Sequence, residues 1–110
     1  MTMEISQSDW QLFRKKVPDW QEEYMEKLII DYSSILNNEK KLASEKFWEL
    51  ESLIKVDKHK PGVIIEMRRS NMIFSIIDLL NDNVICLDDL NEFSDELKEA
   101  VDLIRRHRAY

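Results

Sequence analysis

The sequence predicts an all-α protein, a compact bundle of four to five helices in a single domain, and three observations carry that prediction. One glycine and two prolines in 110 residues leave almost none of the turn chemistry that sandwiches and barrels need. Apolar residues recur at three- and four-residue steps along most of the chain, the period of a helix face. The length suits one core and not two, while 44% hydrophobic and 35% charged residues supply both a foldable interior and a well-solvated exterior.

Ser8, Asp9, Trp10 and Gln11 form a capping-box pattern that opens a short amphipathic helix through Trp10, Phe13 and Val17. Pro18 is expected to end or kink it and to serve as the first residue of a second helix. Asp19, Glu22 and Glu23 then fall in an opening turn where the positive end of the helix dipole favours acids. Trp20, Tyr24, Leu28, Tyr32 and Ile35 mark one face of that helix, and Asn37 and Asn38 stop it.

After a polar connection, Ser44 is placed to cap a third helix that buries Phe47, Leu50 and Ile54, with Trp48 at the edge. VDKHKPG ends it, and Pro61 suits the first turn of a fourth helix. Between Met72 and Leu80 seven of nine residues are apolar, more than one face accommodates, so this segment is expected at the centre of the bundle. A last helix, begun by Asp88 or Ser94, carries Phe93, Leu97, Val101 and Ile104 on one side and ends in Arg105, Arg106 and Arg108, which suit a helix C-terminus.

PDWQEEYMEKL from Pro18, SEKFWELE from Ser44, PGVIIEMRRSNMIFSIIDLL from Pro61 and VICLDDLNEFSDELKEAV from Val84 together resemble a group of small all-helical bacterial proteins of about this length, common in Gram-positive genomes and of unassigned function. The resemblance covers most of residues 10 to 104 and implies no site residue, cofactor or metal. A multidrug-transporter label attached to some of that group does not suit this chain, whose most apolar stretch, MIFSIIDLL, is far below the ~20 residues of a membrane-spanning helix. Relatives are expected to carry glycine near Asn83, where asparagine keeps the turn.

LLNDNVICLDDL, from Leu79 to Leu90, has the outline of half a calcium-binding EF-hand loop. Such a loop takes ligands at positions 1, 3, 5, 7, 9 and 12, with glycine at 6 and a bidentate glutamate at 12. With Ile85 at the eighth position, Asp78 would be first, Leu80 third, Asp82 fifth, Asn83 sixth, Cys86 ninth and Asp89 last. Leu80 offers no oxygen and Asp89 is a methylene short, so the same residues read better as packing. Asn81, Asp82 and Asn83 end a helix, Asn83 tolerates the left-handed conformation, and Ile85 and Leu87 turn inward.

Other chemistry finds little support. Cys86, His59 and His107 lie in three separate segments, without the short paired intervals of a zinc site. The acids around Cys86 disfavour a reactive thiolate, and a single glycine, Gly62, cannot form a phosphate-cradling loop. Carboxylate pairs such as Glu22 with Glu26 and Glu45 with Glu49 alternate with lysines on what reads as a wet helix face. No cofactor and no metal ligand is expected.

Charge is unevenly spread. Between Asp78 and Asp102 there are nine acids and one base, a field that repels nucleic-acid backbones and attracts basic surfaces. The arginine clusters are too small for a nucleic-acid footprint. The leading expectation is therefore a non-enzymatic interaction module, of inhibitor, immunity or regulatory type, that offers Asp88, Asp89, Glu92, Asp95, Glu96, Glu99 and Asp102 to a basic protein surface. A second reading is a small-molecule binder or enzyme using an aromatic cavity lined by Trp20, Tyr24 and Trp48; a third is homo-oligomeric scaffolding through exposed aromatic surface. The lone cysteine fits a reducing, cytoplasmic compartment. MTMEISQSDW at the N-terminus lacks the basic and apolar regions of a secretory signal.

Overall fold

A computed structural model describes residues 5–108, with the side chain of Arg108 and residues 1–4 outside the described part. The initiating residues of the signal-peptide argument and the last of the terminal arginines thus fall outside it. The described chain is all-helical: α1 (Gln7–Leu36), α2 (Ala43–Asp57), α3 (Met72–Asn81) and α4 (Asp95–Arg108), with 3₁₀ turns at Arg69–Asn71 and Leu87–Leu90.

α1 is one helix of 30 residues, about 45 Å long at 1.5 Å per residue. Its N-cap is Ser6, whose hydroxyl accepts from the Asp9 backbone N–H at 3.1 Å, two residues before the expected cap at Ser8. The expected break at Pro18 does not occur, and the proline sits inside the helix. A proline removes a single backbone bond, here to the carbonyl of Arg14. Both residues are on the exposed side, where water can take that carbonyl. The stripe Phe13, Val17, Trp20, Tyr24, Leu28 therefore runs on without interruption.

Only the first half of α1 reaches the core. Phe13, Val17 and Trp20 join Met72, Ile76, Ile77 and Leu79 of α3 and Leu97 and Val101 of α4. Phe13 and Trp20 meet edge to face, with Trp20 tilted against Phe93, each pair at 6.4 Å. As its apolar run predicts, α3 is the central element, with six of its ten residues buried. It ends in a Schellman motif: Val84 N–H bonds the Leu79 carbonyl at 2.9 Å, Asn83 N–H bonds Leu80 at 3.1 Å, and Asn83 has φ 59°. Leu80 points into this core. At α4 the cap is Ser94, whose hydroxyl accepts from Leu97 N–H at 3.1 Å.

The expected fourth helix from Pro61 is not formed. Residues 64–68 are without helix and α3 starts only at Met72. Val63 and Ile65 are partly covered while Ile64 and Glu66 are exposed, the two-residue alternation of an extended segment. Gln21 of α1 holds its start through a 3.0 Å bond to the Pro61 carbonyl.

Past Trp20 no residue of α1 is buried, and along α2 only Asp57 is. The distal half of α1 and α2 form a helical hairpin, here called the arm, that projects from the core. The molecule measures 55 × 31 × 23 Å and its radius of gyration is 17.2 Å, against about 13 Å for a globular domain of this length. α2 opens at Ala43 rather than behind a Ser44 cap, its Glu45 carboxylate accepting from Leu42 N–H at 3.1 Å.

Candidate interaction surface

The arm is held together by a narrow seam. Leu28, Tyr32 and Ile35 of α1 are half-buried against α2. Tyr32 donates its phenol proton to the buried Asp57 carboxylate at 2.5 Å, and Asp57 also pairs with Lys60 at 3.3 Å. Nearer the turn Lys41 pairs with Glu49. Burial first, then the hydrogen bond and charge of Asp57, push the Tyr32 pKa up to about 12. Asp57 likewise raises that of Lys60, first through the hydrogen bond.

Phe47, Leu50 and Ile54, expected in the core, are not in it. Phe47 is 61% and Ile54 43% exposed, and Leu50 is half-buried. The stripe is one apolar helix face, as its spacing predicts, but no third helix among the described residues covers it. Trp48, expected at an edge, is 63% exposed and stands perpendicular to Phe47 with ring centroids 5.0 Å apart. A shallow groove runs along α2 between Phe47, Leu50, Ile54 and Lys58. A second, between Met25, Ile29, Tyr32 and Ile54, shares Ile54 with it. The two make one continuous apolar face across both helices of the arm.

The aromatic cavity expected from Trp20, Tyr24 and Trp48 is not assembled. Trp20 is packed in the core, Tyr24 lies against Gly62 and Trp48 faces outward from the arm. A cavity of about 250 Å³ elsewhere, lined by Ile5, Asp9, Met72, Ser94 and Leu97 among others, has Asp9 as its buried acid. Both Asp9 oxygens are already engaged by Ser94; the cavity's other carboxylate, Glu96, is exposed to solvent at its rim. Among the described residues no three His, Cys, Asp or Glu side chains converge as metal ligands, and no helix is long and apolar enough to cross a membrane. Cys86 is exposed.

The predicted acidic residues divide. Asp95, Glu99 and Asp102 share one face of α4 by their spacing. Asp89 folds back on its own 3₁₀ turn, its carboxylate accepting from Cys86 N–H at 2.8 Å. Glu92 pairs with Lys16 at 3.5 Å, Asp95 with Lys98 at 3.8 Å and Asp102 with Arg106 at 2.8 Å. These three acids are 69%, 92% and 61% exposed, so solvent screens their pairs and partners remain exchangeable. Asp88, Glu96 and Glu99 are exposed and make no ion pair among the described residues. The apolar face of the arm, not these acids, is the feature that sequence reasoning missed. Its signal was present in the 47, 50, 54 spacing but was assigned to the core. In comparisons with known proteins, no family model, no curated protein and no solved structure matches this chain.

Proposed function

We propose that the protein is a non-enzymatic protein–protein interaction module, in which the core of α3, α4 and the first half of α1 anchors the arm that docks. The observation that carries this reading is the exposure of Phe47 and Ile54 at the centre of a two-helix apolar face. Large contiguous apolar surfaces on a folded chain mark interaction sites. The lone cysteine, Cys86, supports a cytoplasmic setting. Asp88, Glu96 and Glu99, exposed and without ion pairs among the described residues, support a second contact with a basic protein surface.

Salt separates the two contacts. Association through the arm should persist at high ionic strength and be lost on Ile54→Glu, because apolar contacts are not screened. Association through the acids should fall with salt and be lost on charge reversal of Glu96 and Glu99. If neither substitution changes any association of the full chain, with itself or with another protein, the reading is wrong.

A further inference from the structure

We infer that the apolar face of the arm is the contact surface for a second copy of this chain, two arms packing antiparallel about a two-fold axis into a four-helix bundle. The inference deepens the interaction-module reading and rests on it.

Two helices alone cannot enclose an apolar interior; four can, with each helix turning one stripe inward. The arm presents half of such a bundle. Phe47, Leu50 and Ile54 on α2 and Met25 and Ile29 on α1 line its two joined grooves, and the spacing on α2 is that of helix-on-helix packing. These side chains expose on the order of 400 Å² together, and with the aliphatic stems of Lys55 and Lys58 the face reaches well over half of the ~800 Å² that each partner gives to a standard interface.

Charge selects the occupant. Residues 25–60 contain seven acids and seven bases, so this part of the chain is neutral although the whole carries −6. Two copies can therefore approach arm to arm without the repulsion that would oppose an encounter through the acidic segments between Asp78 and Asp102. The rim of the α2 groove is also self-complementary. It carries Glu51 with Lys55 and Lys58, and none of the three makes an ion pair among the described residues. In an antiparallel two-fold arrangement centred near Leu53, Glu51 of one copy lies level with Lys55 of the other, and the pairing occurs twice by symmetry. A parallel arrangement would set like charges against each other at these positions.

The test is the mass of the purified full chain in solution, by sedimentation equilibrium and by light scattering, from micromolar to millimolar concentration. A dimer is expected. Phe47→Glu with Ile54→Glu should give a monomer whose helix content is unchanged, since neither side chain belongs to the core. Glu51→Lys alone and Lys55→Glu alone should each raise the dissociation constant by about 10-fold, and the two together should restore it. A chain monomeric at all concentrations, or a dimer indifferent to the glutamate substitutions, overturns the inference. Failure of the paired charge reversal to restore the dimer overturns the antiparallel arrangement on which it depends. A monomer that still captures another protein in an Ile54-dependent way overturns the self-contact while leaving the interaction module standing.

Discussion

Asp9, in the first turn of α1, accepts two hydrogen bonds from Ser94, one from its backbone N–H at 3.0 Å and one from its hydroxyl at 2.5 Å, although the two residues are 85 apart in sequence. The Ser94 hydroxyl in turn accepts from Leu97 N–H, so the carboxylate caps α4 directly and through its cap residue. A negative charge at this end of α4 also opposes the positive pole of the helix dipole. With Asp9 only 6% exposed, the pair ties the beginning of the chain to its last helix.

Asp9→Ala should accordingly destabilise the fold by about 2–3 kcal/mol, since it leaves a helix-end donor unpaired and removes charge-assisted bonds. The melting temperature should drop by on the order of 10 °C. Ser94→Ala should cost less, about 1 kcal/mol, as an ordinary cap loss. Because the two share the same bonds, the double variant should be less destabilised than the sum of the singles. Additive effects in chemical denaturation would show that the two side chains act separately.

The Tyr32–Asp57 bond gives the arm a dependence on alkali. The folded state holds the phenol neutral, with its pKa near 12 against about 10 for a free tyrosine. Its contribution to stability is therefore complete below about pH 10 and is lost as the pH rises through about 12. Lys60, raised in the same direction by the same carboxylate, loses its pairing with Asp57 as it deprotonates. Tyr32→Phe should lower stability at neutral pH by about 1 kcal/mol, and the difference from wild type should vanish in strong alkali. A phenolate absorbance titration of wild type minus Tyr32→Phe should isolate one late-ionising tyrosine. An ordinary tyrosine curve in that difference would dismiss the bond.

How much of this was legible beforehand depends on what each pattern encodes. The run from Met72 to Leu80 is apolar on every side, and such a helix has only one place to go, so its central position was readable. Asn83 tolerates a left-handed turn, and the turn is there. Pro18 is ambiguous in sequence because a missing N–H suits a helix end as well as a helix interior; the stripe from Phe13 to Leu28, which keeps its phase across it, is what distinguishes the two. Pro61 is ambiguous in a similar way: proline suits the first turn of a helix, but it equally begins the extended segment whose alternation at Val63 and Ile65 is the available clue. Phe47, Leu50 and Ile54 show the limit of periodicity. Spacing declares that a face is apolar and says nothing of whether the same chain covers it. The buried Asp9 carboxylate was out of reach altogether, because its partner comes from the far end of the sequence.

Gly62 fixes where the arm leaves the core. A Cβ at this position would lie 2.3 Å from Cδ2 and 2.5 Å from Cγ of Tyr24, closer than carbon atoms approach. The atoms in the way are at the root of the ring, so a small swing of its tip does not clear them, and either α1 or the loop after Pro61 must shift. Gly62→Ala should thus destabilise by about 1–3 kcal/mol as an overpacked contact, outweighing the few tenths to ~1 kcal/mol that replacing a glycine gives through the unfolded chain. In a Tyr24→Ala background the ring is gone and the alanine fits. There Gly62→Ala should be neutral or mildly stabilising, a change of sign that a thermal denaturation cycle on four variants reads directly. If the cost of Gly62→Ala is the same with and without the ring, the Tyr24 contact is not what requires glycine at this position.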